Sequence, residues 1–431
     1  MARHSLIFFQ GHIAPEEGDR NGTAIQGCAH ARAHAGRFVG AYVDAFARQL
    51  IDQGYARPSI RYSLQLVADF GRWLMQRRIL VSRVTPESLS GYLRDRTRRG
   101  HFRPGDASIL RRLRNLLAEQ GIVVEDPPIA PTAVEQLETE FRYYLERERR
   151  LAPATVFHYL EFARRFLAQM VPKGEASLAH VQAADVVDFV QREAARLHHA
   201  KRAKLMTTAV RSFLQYARYR GLIEADLKPS VPAVANWSMA SLPRALSAVE
   251  LQRLLASCER GTAVGRRNWA ILLLLARLGL RAGEVTALTL DDIDWAAAEL
   301  CIQGAGVSAN RLPLPHEVGA ALADYLRDGR PACTSRRVFV RMRAPTRGFK
   351  SSSAVSTVVR RALARAGLDP AHHGAHLLRH TVATQMLRQG ASLAEIGELL
   401  RHRSPQTTMI YAKVDLDLLR PLALPWPGGV S

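Results

Sequence analysis

Two stretches of the chain, residues 56–123 and 152–223, repeat one alternation of apolar and polar positions. In both, apolar residues recur at i, i+3, i+4 and i+7, the period that turns one face of a helix towards a core. The first stretch opens on Pro58-Ser59-Ile60-Arg61-Tyr62 and predicts a helix over Tyr62 to Met75. The second opens on Pro153-Ala154-Thr155 and predicts a helix through Tyr159, Phe162, Phe166 and Met170. A second helix follows in each, started in the first by Thr85 as N-cap with Pro86 at N1, and spanning Val181 to Gln191 in the second. Each stretch closes on a basic helix ending in glycine: Arg111, Arg112 and Arg114 precede Gly121, and Arg211 precedes Gly221. The second adds a basic cluster, Lys201-Arg202-Ala203-Lys204, beside a helix start. Two copies of one helical unit are expected.

Outside the repeat the pattern is uneven. Residues 1–55 predict only a helix over Phe38 to Leu50. Cys28, His30 and His34 have no second cluster at metal-ligand spacing and are not read as a metal site. Pro229, Pro232 and Pro243 mark a polar linker, after which Ser247 and Glu250 form a capping box. A helix is expected over Arg266 to Leu278, a hairpin from Glu299–Gln303 and Arg311–Leu314, and a further strand over Arg337 to Val340. The remainder reads as helical to about Leu419, where Pro421 and the Pro425-Trp426-Pro427 tail end regular structure. The expected fold class is mainly α with a small antiparallel β-sheet. The expected division is an N-terminal helical module over 1–130, a second helical module over 131–229, a linker over 230–246 and a C-terminal domain over 247–431.

Charge narrows the function. Among 431 residues, 60 Lys+Arg against 39 Asp+Glu leave a net charge of +21. Such a surplus points to a polyanionic partner, nucleic acid first, because neutralising phosphates releases counterions. Nearly all the basic residues are Arg, whose planar fork suits phosphate oxygens; Lys occurs only at 173, 201, 204, 228, 350 and 413. The longest apolar run, Ala270 to Ala276, is far short of the ~18 residues a membrane span needs, and Leu6 to Phe9 is too short for a signal peptide. Four cysteines with no C-x-x-C pair exclude a disulfide framework and fit a reducing, cytoplasmic location.

Four short segments carry candidate chemistry. In Leu278-Gly279-Leu280-Arg281-Ala282-Gly283-Glu284, an arginine follows the glycine that ends an apolar helix. In His376-Leu377-Leu378-Arg379-His380, His376 and Arg379 share a helix face at i, i+3 and can grip one phosphate together. His380, on the same turn, reads as a packing residue with another donor as the alternative, and His372 and His373 read as loop residues. In Leu399-Leu400-Arg401-His402, His402 falls just past a helix capped by Ser392 and Glu395. Tyr411 lies nine residues further on, on a short helix begun by Ser404-Pro405.

Arginine, then His-x-x-Arg, then His, then Tyr after nine residues: this order in a basic chain resembles the tyrosine recombinase (phage integrase) family over about residues 135–420. Leu399 to Ser404 and Tyr411-Ala412-Lys413-Val414-Asp415 resemble its transposon-encoded branch, and Arg401 stands where many members have glycine. The resemblance implies a catalytic set of Arg281, His376, Arg379, His402 and Tyr411. Tyr411 would attack the scissile phosphate to give a 3′-phosphotyrosine, the arginines would hold its non-bridging oxygens, and the histidines would donate hydrogen bonds, with His376 also placed to take the tyrosine proton. Glu284 would position Arg281. Neither cofactor nor metal is implied, because the covalent link conserves the bond energy. Double-stranded DNA is the implied partner, gripped by a core-binding domain over 131–229 and the catalytic domain. Four subunits would assemble on it, with the segment from Val414 to Pro425 docking on a neighbour, and co-encoded recombinases are further candidate partners. One departure matters. The family's hairpin lysine, the general acid for the leaving oxygen, aligns with Ala305 in Gly304-Ala305-Gly306, so attenuated activity is expected unless a group such as Lys350 or Arg311 substitutes or the alanine was introduced deliberately. The alternatives are a non-catalytic DNA-binding accessory protein of a mobile element and a topoisomerase-like relaxing enzyme.

Overall fold

Helix starts along the chain are written by short polar residues. Ser247 Oγ accepts the backbone N–H of Glu250 at 3.2 Å while the Glu250 carboxylate takes the Ser247 N–H at 2.8 Å. The same reciprocal pair joins Thr132 with Glu135 and Ser392 with Glu395. Each satisfies two of the orphan N–H groups that a first turn leaves. The structure is a computed structural model that describes residues 36–123, 131–171, 177–197, 199–234, 245–303 and 309–414. The expectations placed on Cys28, His30 and His34, on Gly304-Ala305-Gly306, on most of the 230–246 linker and on the tail beyond Val414 lie outside these residues.

The chain divides into two compact units, one of residues 125–240 and one of residues 1–124 together with 241–431. In the second of these, helices α1 (Gly36–Asp52), α2 (Arg57–Gln76), α3 (Pro86–Arg98) and α4 (Asp106–Glu119) enclose one apolar core around Phe46, Leu64, Val67, Phe70 and Leu110. Asp106 is fully buried there and accepts from Tyr62 and Arg96. The backbone N–H of Thr346, on a loop of the C-terminal part, donates to the carbonyl of Gln53 at 2.9 Å. The 125–240 unit contains α5 (Ala133–Tyr143), α6 (Pro153–Met170), α7 (Ala183–Arg196) and α8 (Ala200–Tyr219). Its core is aromatic, with Phe141, Phe166, Phe189 and Phe213 in edge-to-face contact. Thus 56–123 and 152–223 each fold as three successive helices closed by a left-handed glycine, Gly121 at φ 69° and Gly221 at φ 70°.

The C-terminal part begins with α9 (Ala248–Ala256) and α10 (Ala263–Arg277). In α10 every residue from Ala270 to Ala276 is buried, so this helix is covered on all sides and forms the axis of the largest core. Helix α11 (Ala282–Ala287) leads to a three-stranded antiparallel sheet in the order β1 (Ile293–Asp294), β2 (Glu299–Gln303), β3 (Ala309–Pro313). Leu300 pairs with Leu312 across β2 and β3. Helices α12 (His316–Asp328), α13 (Ser353–Arg365), α14 (Ala375–Arg388), α15 (Leu393–Leu399) and the short α16 (Pro405–Thr408) follow. The mainly α class with a small antiparallel sheet holds.

The strand expected over Arg337 to Val340 does not form; only isolated bridges, Thr289 to Arg337 and Val340 to Gly348, occur. Side chains meet most of its backbone instead, while the Val338 N–H donates to the Leu288 carbonyl at 2.9 Å. Arg330 takes the carbonyls of Ser335, Arg337 and Val338, and the Val340 N–H donates to the Tyr325 hydroxyl. Among the described residues no helix is long and apolar enough to cross a membrane.

Candidate active site

Three separate turns converge beside α14. The first is the corner between α10 and α11. Gly279 there takes φ 57°, and a Cβ on it would stand 2.6 Å from Leu400 Cδ2. Only the absence of a side chain lets the 400 turn approach so closely. Arg281 is the N-cap residue of α11, with a side chain 40% exposed. Glu284 lies one turn along the helix and accepts the Arg281 backbone N–H at 2.7 Å and Arg281 Nη1 at 2.8 Å. Burial raises the pKa of this carboxyl, but the Arg281 N–H, the charge of Arg401 and their side-chain hydrogen bonds outweigh it and hold the group below its ordinary range.

Helix α14 supplies the second group of residues. It starts at Gly374 and ends before Gly390, as the glycine bounds predict. Arg379, 4% exposed, points into the junction, where its two Nη groups donate to the carbonyls of Gly279 and Leu400. One guanidinium thereby ties two turns 121 residues apart in sequence to the helix between them. Burial, then the charges of Arg281 and Arg401, lower its pKa to about 10. His376, one turn earlier, is exposed. The chain packed about its ring, with Arg379 and Arg281 nearby, lowers its pKa.

The third group follows α15. Arg401 has φ 52°, and its carbonyl accepts Arg281 Nη2 at 3.0 Å. His402 Nδ1 pairs with Thr408 Oγ1 at 2.7 Å, and its pKa falls to about 4 through burial first, then the nearby Arg379, Arg281, His380 and Arg401. Tyr411 is 1% exposed and packs with Ala383, Ile396 and Leu400. It sits on a 3-10 turn, Met409–Val414, rather than on the α-helix expected, because α16 ends at Thr408. Its ring is parallel to that of His402, with 6.5 Å between centroids. Its hydroxyl pairs with His380 Nδ1 at 2.8 Å, and burial pushes its pKa up to about 12 despite the opposing charge of Arg379.

Arg281, Arg379, His402 and Tyr411 therefore share one continuous cluster, and His376 stands on the helix that supplies Arg379. Three arginines against one carboxylate make the cluster an anion site. Two partners were not foreseen. His380, read as packing or as another donor, pairs with the tyrosine hydroxyl, and Thr408, not considered, pairs with His402. His380 sits one helical turn from His376, a spacing that signals a shared face, but a contact 31 residues away has no local signature. Among the described residues no group of three or more His, Cys, Asp or Glu side chains is placed to hold a metal.

The phage integrase family profile matches residues 244–417, and the profile of the phage integrase N-terminal SAM-like domain matches residues 139–221. The integrase/recombinase y4rA of Sinorhizobium fredii is 48% identical over 392 residues, covering 90% of this chain and 95% of that protein. Tyrosine recombinase XerD of Mycobacterium tuberculosis is 31% identical over 306 residues, covering 66% of this chain and 94% of its own. The fold is that of the XerH site-specific recombinase, solved in a post-cleavage complex with a palindromic difH substrate (TM-score 0.50, 21% identity, 66% of this chain and 83% of that one). By identity and coverage together, the chain belongs to the phage integrase family of tyrosine recombinases.

Proposed function

We propose that Arg281, His376, Arg379, His402 and Tyr411 are the catalytic residues of a site-specific DNA recombinase. Tyr411 Oη forms a bond to the scissile phosphorus as the bond to the 5′-oxygen breaks. The phenolic proton passes to a base, and the leaving oxygen takes up a proton to become a 5′-hydroxyl. A 5′-hydroxyl from a second duplex then attacks the phosphotyrosine, which releases Tyr411 and joins the strands in a new arrangement. Arg281 and Arg379 neutralise the charge that builds on the phosphorane oxygens, and His376 and His402 donate to them. His380, bonded to the Tyr411 hydroxyl, is better placed than His376 to receive the phenolic proton. The observation that carries this reading is the junction of two sequence-distant turns with the intervening helix through Arg379, beside Tyr411.

The DNA partner follows from the net charge of +21 and from the DNA complexes of related recombinases. The N-terminal module (1–130), core-binding domain (131–229) and catalytic domain (247–431) are supported by the SAM-like match within the second and the integrase match over the third. Membership of the transposon-encoded branch rests on Leu399 to Ser404 and Tyr411 to Asp415. A tetramer on DNA, co-encoded recombinase partners and a cytoplasmic location complete the proposal.

The test is a nicked suicide duplex carrying an end of the chain's own mobile element. A covalent adduct formed by the native protein and lost in Tyr411→Phe supports the assignment. Tight, salt-sensitive binding without an adduct in either protein favours the accessory DNA-binding alternative.

A further inference from the structure

Arg401 carries two burdens that a glycine in its place would not. Its φ of 52° lies in the left-handed region where residues with a Cβ are strained. Its guanidinium is only 8% exposed, and its Nε has no hydrogen-bond partner among the described residues. The backbone function of the position needs no side chain, since it is the carbonyl that accepts Arg281 Nη2. What the side chain adds is a charge on the far side of Glu284. Arg401 Nη2 donates to Glu284 Oε2 at 2.8 Å, and Nη1 anchors the guanidinium on the carbonyl of Leu399 at 2.9 Å.

Glu284 is therefore bracketed, with Arg281 on one oxygen and Arg401 on the other. A lone Arg281–Glu284 pair would be neutral, and its carboxylate would compete with a DNA phosphate for the Arg281 guanidinium. With Arg401 present the triad carries one net positive charge, and the more exposed arginine is the one open to a ligand. We propose that Arg401 is a positioning residue for strand cleavage: by occupying Glu284 it leaves the charge of Arg281 available to the scissile phosphate. This rests on the reading of Arg281 as a phosphate ligand.

The test compares single-turnover adduct formation on two suicide duplexes, one with the native scissile phosphate and one with a methylphosphonate, which lacks the negative charge that Arg281 neutralises. The variants are Arg401→Gly, Arg401→Lys, Arg281→Ala and the double Arg401→Gly/Glu284→Gln, each also assayed for thermal unfolding and DNA affinity. Arg401→Gly keeps the carbonyl and relieves the backbone, so it is expected to fold with an unchanged or higher midpoint. Its cleavage of the phosphodiester is expected to fall about tenfold or more. Arg401→Lys should retain most of the rate. Glu284→Gln, which removes the competing charge, should restore several-fold of the loss, and the defect should shrink to about twofold or less on the methylphosphonate. Equal defects on both duplexes, or no rescue by Glu284→Gln, would overturn the assignment in favour of a merely structural role. Normal cleavage by Arg281→Ala would remove the reading of Arg281 itself. Dependence on Arg281 with none on Arg401 would overturn the assignment of Arg401 alone.

Discussion

Lowering the pH tests the cationic crowding around His402. Burial and the charges of Arg379, Arg281, His380 and Arg401 pull its pKa from 6.5 to about 4. The unfolded chain therefore takes up this proton at a higher pH than the folded one. Stability is complete above about pH 6.5 and is lost as the pH falls towards about 4. That gap corresponds to at most about 3–4 kcal/mol. The ring is part-exposed, and solvent screening reduces the figure to roughly 1–2 kcal/mol. Urea unfolding at steps from pH 7 to 4 should show the native protein losing about this much more than His402→Asn, whose amide can still reach Thr408 Oγ1. The direct readout is the His402 imidazole proton resonance, expected to titrate well below 6 in the free protein and to move upward when a duplex brings a phosphate beside it. Titration of that resonance at 6–6.5 in the free protein would refute the reasoning, because neither the burial of the ring nor the charges beside it would then be holding its pKa down.

Further predictions concern single side chains. Gly279→Ala places a methyl 2.6 Å from Leu400 Cδ2 at a left-handed backbone, and should cost about 2–4 kcal/mol in urea unfolding. It should also slow cleavage, since the Gly279 carbonyl seats Arg379. His380→Phe leaves the buried Tyr411 hydroxyl without its partner, costing about 1–3 kcal/mol, and should slow adduct formation by ~10²-fold or more. A wild-type cleavage rate in that variant would show that His380 does not take the phenolic proton. Ala305→Lys should raise the single-turnover rate, by up to about 10²–10⁴-fold if proton delivery to the leaving oxygen is limiting. An unchanged rate would show that another group supplies the proton.

What could be read beforehand followed the range of each interaction. Capping residues such as Ser247 with Glu250 act within four residues, and they marked helix starts within a residue or two. The mainly helical class followed from periodicity. Glu284 as the holder of Arg281 came with the family resemblance, and the structure seats it one helical turn along. The strand over Arg337 to Val340 failed because alternation reports which positions are buried, not which groups take the backbone hydrogen bonds. Arg330 and Tyr325 took them. The seat of Arg379 was illegible for a related reason, since its partners are main-chain carbonyls and every residue type carries one. The left-handed turn at Arg401 was announced only as a departure from glycine; its reason appears once Glu284 is seen with an arginine on each side.

The seating of the arginines bears on the order in which the molecule comes into being. The carbonyls of Leu400 and Arg401 complete the hydrogen bonding of Arg379 and Arg281, and both lie only a short way before Tyr411, the proposed nucleophile. Translation delivers residues 1–399 first, with each arginine holding only part of its set, Arg379 on the Gly279 carbonyl and Arg281 on Glu284. A nascent or prematurely stopped chain ending before residue 400 thus lacks more than its tyrosine; it lacks the two carbonyls that complete the seating of the arginines. On the proposed mechanism such a product would grip a scissile phosphate less firmly than the full chain, so poisoning of the intact protein by its own truncated forms is disfavoured at the level of the fold.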